Sequence, residues 1–183
     1  MLIHSFSEGK FRGFRGEGDT FIKLLPFLSS MKVPQETVDR VVVLYRPNYR
    51  YLKEAEIEFP IARGRFQLGE TEYCETLQHL TDVEAQLCLN QLSYVFFGQG
   101  IIEKRWEGLE DLTFDEYLEL RKENMFVTES HKKFYRETNA RDQFYGQMQL
   151  MKIRRHGNLY VAKLNFDLNE GASVGQLSLI LKR

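Results

Sequence analysis

The 183-residue chain has almost no excess of charge of either sign: 25 lysines and arginines stand against 26 aspartates and glutamates, a formal net charge of −1. Such a balance sets up no general field for nucleic acid or an anionic membrane, so any basic site must be local. Cysteine is scarce as well. Cys74 and Cys88 alone exclude a disulfide framework and fit free thiols in a reducing, cytoplasmic setting. No apolar run approaches the roughly 20 residues that cross a bilayer, and MLIHSFSEGKF lacks the apolar core of an export signal, so neither insertion nor export is expected. The four histidines, His4, His79, His131 and His156, are scattered, and neither cysteine has a partner at ligand spacing, so no metal is expected. A phosphate loop and a dinucleotide fingerprint are both missing, and no cofactor is expected.

What remains is ordinary core material. With 43% apolar and 13% aromatic residues, the chain reads as one domain over 1–183, with 1–35 as an N-terminal segment of uncertain structure. FRGFRGEGD alternates Arg12 and Arg15 with Phe11 and Phe14, the composition of a nucleic-acid arm, but one short copy in a neutral chain reads as a terminal loop and no nucleic-acid partner is expected. FIKLLPFL, Phe21 to Leu28, allows a short helix broken by Pro26 and Pro34.

Thr37 to Tyr45 is β-branched and reads as a strand, and Lys53 to Ala62 alternates apolar with polar residues as a half-buried strand does. Asp82 to about Phe97 reads as a helix stopped by Gly98 and Gly100. A second helix runs from Phe114 to about Glu123, with Thr113 at its cap and Glu116 three residues on. Four more strands follow: Phe126–Tyr135, Phe144–Arg154, Leu159–Leu168 and Val174–Leu181, with turns at His156–Asn158 and Asn169–Gly171. This order predicts an α+β domain with a mainly antiparallel sheet. A helix apolar on most faces must be covered on most sides. A curled sheet wrapped around one long central helix, the hotdog fold, provides that cover.

Gly171–Ala172–Ser173–Val174–Gly175 has the form of a nucleophile elbow, but an alternating strand follows where a helix is required, so a hairpin turn is expected. Thr81 and Glu84 form a capping box at the start of the long helix. Glu84 has a functional rival reading as acid or base beside His79. The free amides at the helix start, together with its dipole, favour an oxygen bearing negative charge. Asn90 and Gln91 are costly to bury unpaired and must bond to protein, water or ligand.

LGETEYCETLQHLTDVEAQLCLNQLSY, Leu68 to Tyr94, resembles the corresponding segment of the FcoT-like long-chain fatty acyl-CoA thioesterases, a hotdog family. The match runs without a gap through Gly69, Glu70, Thr71, Tyr73, His79, Glu84, Cys88, Asn90, Gln91, Leu92 and Tyr94. It continues weakly through FDLNEGASVGQLSLIL and covers about the last three quarters of the chain. The resemblance implies Tyr73 and Asn90 as polar site residues. Where the family has a further asparagine this chain has Thr81, which caps the helix but offers no amide N–H. A tyrosine near the family's N-terminus has no aligned counterpart here.

The resemblance implies an enzyme of fatty acyl-CoA or acyl-carrier-protein thioesters. Hydrolysis is the leading expectation. Glycine addition to an α,β-unsaturated acyl thioester, 3-hydroxyacyl dehydration and non-catalytic acyl-CoA binding stay open. The expected site has Tyr73, Asn90 and His79 in catalytic roles. Thr81, the amides of Asp82 and Val83, Glu84 and Tyr94 would bind substrate. Leu87, Leu92, Val95, Phe96 and Phe97 would line an acyl tunnel where they do not pack the core, and Lys132, Lys133, Arg154 or Arg155 would meet a phosphate. A homodimer or higher homo-oligomer, its sheet continued across chains, completes the expectation.

Overall fold

The computed structural model describes residues 20–21, 30–70 and 78–183. The FRGFRGEG segment, Tyr73 and Cys74 lie outside the described residues. So does the helix expected over Phe21–Leu28, apart from Phe21, which belongs to a two-residue strand, β1 (Thr20–Phe21).

After β2 (Met31–Lys32), the strand expected over Thr37–Tyr45 is instead a helix, α1 (Gln35–Val42), which starts after Pro34. Spacing outweighs β-branching here. Thr37, Val38, Val41 and Val42 share a buried face at helical spacing, whereas a strand would alternate charged and apolar residues on both its faces. The single strand expected over Lys53–Ala62 is also two: β3 (Leu52–Glu58) and β4 (Ile61–Phe66) pair antiparallel, Glu58 opposite Ile61. Pro60 stands in the turn, where its missing N–H takes no ladder bond.

The central helix, α2 (Asp82–Ile102), is longer than expected. Gly98 and Gly100 do not stop it; they lie buried within it, against Tyr117 and Trp106. Helix α3 (Phe114–Asn124) has the expected Thr113–Glu116 capping box. The C-terminal half folds nearly as read, into β5 (Met125–Phe134), β6 (Phe144–His156), β7 (Leu159–Leu168) and β8 (Ser173–Lys182). Ser173 opens β8 after a turn in which Asn169, Glu170 and Gly171 have positive φ, so the elbow-like sequence is a hairpin.

Among the described residues the eight strands form one antiparallel sheet in the order β2-β3-β4-β6-β7-β8-β5, with β1 on the far end of β6. Helix α2 packs on β3, β4 and β6 and is closed over by α1 and α3, the hotdog arrangement. Leu92, Val95, Phe96 and Phe97 are at most 1% exposed, and Phe96 and Phe97 pack with Phe59 and Trp106 at ring separations of 5.0–5.6 Å. These residues fill the core. Of the residues expected to line an acyl tunnel where they do not pack the core, these four pack it, and partly buried Leu87 packs against the same core.

Candidate active site between α2 and β5

The polar residues of α2 fall into two groups by direction. Toward β3, Gln91 is fully buried and bonded through both amide atoms: its Oε1 accepts from the amides of Tyr51 and Leu52, each at 2.9 Å, and its Nε2 donates to the Tyr49 carbonyl at 2.7 Å. Gln91 therefore fastens the start of β3 to the helix. Glu84, also fully buried, turns back on its own helix start. Its Oε2 accepts from the Thr81 amide at 3.2 Å and from the Thr81 hydroxyl. Its Oε1 has no partner, and burial raises its pKa above the ordinary carboxylate value despite these amide bonds. Cys88, one turn on, is buried as a thiol whose pKa burial pushes well up, which suits packing and not nucleophilic attack.

Toward β5 the arrangement differs. The Ser130 hydroxyl donates to Gln86 Oε1 at 2.9 Å, and Gln86 Nε2 donates to Asn90 Oδ1 at 2.9 Å. The chain of donors runs in one direction and ends on the Asn90 amide nitrogen, which donates to no described residue. Asn90 and Gln86 line a pocket of about 320 Å³ together with Ser93, Tyr94, Met125, Phe126, Val127 and Leu179. It is apolar on the sheet side and polar along the helix. Gln86, Asn90 and Tyr94 stand on successive turns of α2, so their side chains share one face.

Behind Tyr94 lies a second polar group. The Tyr94 hydroxyl has the Tyr45 hydroxyl for a neighbour, and the Arg121 guanidinium lies 5.5 Å from the Tyr94 ring centre. The Tyr117 hydroxyl donates to the Tyr94 carbonyl at 2.7 Å. Burial raises the pKa of Tyr94, opposed by the Arg121 charge and by the neighbouring Tyr45 hydroxyl. Arg121 is 1% exposed.

Several expected site residues do not join this pocket. The amides of Asp82 and Val83 precede Asn90 by about two helical turns, some 10–12 Å along the axis, too far to hold the same carbonyl oxygen within one chain. His79 is exposed, in a bridge with Asn139, and makes no hydrogen bond with Glu84. Of the basic candidates for a phosphate, Lys132 is paired with Asp82 at 2.8 Å, its side chain only 8% exposed. Lys133 lies over the Tyr135 ring. Arg155 donates to the Gly157 carbonyl and lies over the Tyr160 ring, and Arg154 is in β6 opposite β1. They form no cluster at the pocket.

Ser130 was not legible as a site residue. Alternation from Met125 and Val127 points Glu129 and His131 inward, but a register shift between Val127 and Glu129 turns Ser130 and Lys132 toward α2 instead.

The class is set by the fold. The dehydratase domain of RzxB from Pseudomonas fluorescens superposes with a TM-score of 0.50 at 14% identity, over 89% of this chain and 52% of that one. A GphF dehydratase variant superposes at 0.55 and 13% identity, over 88% and 52%. The chain spans about half the length of these two structures, and the likeness defines a hotdog fold. Residues 40–181 match the FcoT-like thioesterase domain, and the chain belongs to that family. Similar proteins are named (2E)-enoyl-ACP glycyltransferase, ACP being acyl carrier protein. The one from Mycobacterium tuberculosis is 25% identical over 122 residues, 64% of this chain and 67% of its own. The one from Mycobacterium marinum is 27% identical over 139 residues, 71% and 76%.

Proposed function

We propose that this protein adds the amino group of glycine to C3 of a (2E)-enoyl thioester carried on acyl carrier protein. The observation that carries this reading is the hydrogen-bond chain from Ser130 through Gln86 to Asn90. Its terminal donor stands in the wall of a half-apolar pocket, so it asks for an acceptor there. A thioester oxygen meets that need. As the amine bonds to C3, the double-bond electrons move toward the carbonyl and its oxygen becomes an enolate, which the Asn90 N–H groups bind more strongly than the neutral carbonyl. The names of the relatives support glycine as the nucleophile. Tyr73, carried over from the family resemblance, is a further group for the same oxygen. The outer edge of β5, which pairs with no other described strand, with Phe126 50% and Phe134 42% exposed, supports a homodimer made by continuing the sheet.

The second reading is hydrolysis of long-chain acyl-CoA or acyl-carrier-protein thioesters, favoured by the name of the family domain; it makes the same demand on Asn90. A dehydratase would need His79 and Glu84 together. Within one chain, Glu84 is turned to Thr81 and His79 faces outward.

The test is incubation with saturated and (2E)-enoyl thioesters of CoA and of carrier protein, with and without glycine, followed by mass spectrometry. A glycine adduct formed only from the enoyl thioester is expected, and Asn90→Ala should lower kcat by about 100-fold. Free acid released from saturated substrates, without adduct, would replace this reading by hydrolysis. No product in any arm would refute both.

A further inference from the structure

Arg121 is the least expected group in the molecule. It is 1% exposed, only its Nη2 has a hydrogen-bond acceptor, the Arg40 carbonyl at 3.3 Å, and its Nε and Nη1 are buried without partners. Among the described residues it forms no ion pair with a carboxylate. Its place in the last turn of α3 lets the helix dipole compensate part of the charge. A buried guanidinium with two idle nitrogens is still costly, and it calls for negative charge nearby. Its nearest ionisable neighbours are phenols, Tyr117, Tyr94 and Tyr45, with the Glu119 carboxylate of the same helix, itself paired with Lys122, acting more weakly. Of these, Tyr94 lines the pocket, one turn along the same helix face from Asn90.

We propose that Tyr94 is the proton shuttle of this site, and that Arg121 and Tyr45 are positioning residues that hold its transient phenolate. The inference rests on the glycine-addition reading. When the neutral amine of glycine bonds to C3, the nitrogen becomes a secondary ammonium and the thioester becomes an enolate. The enolate C2 takes the Tyr94 hydroxyl proton, forming the C2–H bond and leaving a phenolate. The phenolate then takes one proton from the new ammonium, which restores the phenol and leaves a neutral secondary amine. One N–H is lost, one C–H is gained, and no co-reactant is needed. Negative charge sits on Tyr94 only between these two transfers. During that interval the Arg121 cation 5.5 Å from its ring centre stabilises it, and the neighbouring Tyr45 hydroxyl can donate to it. The other titratable groups facing this cluster are Tyr117 from α3, which bonds to the Tyr94 carbonyl, Glu119 from α3, which is paired with Lys122, and Cys88 from α2, which lies near Tyr45.

The test compares wild type, Tyr94→Phe, Arg121→Met, Arg121→Lys and the double variant Tyr94→Phe/Arg121→Met in the glycine-adduct assay. Tyr94→Phe should lower kcat by about 100-fold, the low end of general acid–base effects, with KM for the thioester changed less than about threefold. Arg121→Met should lower kcat by about tenfold and Arg121→Lys should recover part of the loss. In the Tyr94→Phe background Arg121→Met should cost nothing further, because a residue acting through another has no effect once that one is gone. Ultraviolet titration should show one tyrosine ionising at higher pH in Arg121→Met than in wild type. Should Arg121→Met fail to fold, Tyr45→Phe takes its place in the same cycle, with the same loss that vanishes without Tyr94. Tyr94→Phe at more than half of wild-type kcat, or additive losses in the double variant, would overturn the shuttle while wild-type adduct formation leaves the glycine reading standing. Wild type forming no adduct overturns that reading and the shuttle with it.

Discussion

Gly100→Ala is the sharpest test of how the core closes around α2. In an exposed helix the change would stabilise by about 1 kcal/mol, because alanine is the better helix former. Here an added Cβ would stand 2.5 Å from Cζ2 of Trp106 and closer still to its Nε1 and Cε2, a separation real structures do not tolerate. The indole cannot simply lean away. It is fully buried, stacks on Phe97 at 5.0 Å, meets Phe59 and Phe96 edge-on at 5.6 Å, and donates from Nε1 to the Phe97 carbonyl at 2.9 Å. Overpacking of this kind costs about 1–3 kcal/mol, and losing the indole hydrogen bond adds about 1 kcal/mol. After the helix-propensity gain, the net loss is about 2 kcal/mol, or a Tm lower by roughly 4–8 °C for a domain of this size. Trp106 is the only tryptophan, so its fluorescence reports both the urea midpoint and the local disturbance. A lower midpoint with red-shifted native emission is expected. A variant as stable as wild type or more so, with unchanged emission, would refute the argument that Gly100 is there to admit the indole.

Two further outcomes follow from the buried polar residues of α2. Gln91→Leu removes the acceptor of the Tyr51 and Leu52 amides and one donor to the Tyr49 carbonyl; after leucine's own burial gain the net loss should be about 3 kcal/mol in denaturant unfolding, and a loss under about 1 kcal/mol would contradict the anchoring role. Glu84 has a folded-state pKa raised above its ordinary value near 4.5 by burial, so the folded state binds the proton more tightly than the unfolded one. Its contribution to stability is therefore greatest below about pH 4.5 and is lost as pH rises through the folded value. Glu84→Gln should flatten the stability profile above that point, and parallel wild-type and variant profiles would show that Glu84 does not titrate differently on folding.

The elements that were legible share one property, a period that only one backbone conformation satisfies. β7 and the first part of β6 alternate cleanly, the turns that flank β7 carry asparagine and glycine where positive φ is needed, and α3 opens on a complete capping box. TVDRVVVLY misled because β-branched composition points to a strand while the spacing of Thr37, Val38, Val41 and Val42 points to a helix; burial of one clean face decided it. Gly98 and Gly100 misled for a related reason. Glycine before a loop resembles a helix stop, and only the tertiary neighbours Tyr117 and Trp106 show that it admits rings instead.

The site was half legible for a reason contained in the helix itself. Glu84 and Gln91 are seven residues apart, two turns, and so share a face; Gln86, Asn90 and Tyr94 are spaced by four and share another, about 200° from Glu84 to Gln86. One set meets its own cap and β3, and every bond that Gln91 makes there closes within the protein. The other set meets the pocket, and its donor chain stays open at Asn90. The spacing alone could sort these five residues into two faces, but it could not say which face meets a wall. That answer depends on the register shift in β5, which brings Ser130 against Gln86, and on Arg121, whose neighbours in ELRKEN give no sign that it is buried. A buried cation beneath a pocket tyrosine becomes visible only when α3 is laid against α2. For the same reason, the Arg121 and Tyr94 variants separate a catalytic site from a well-bonded core.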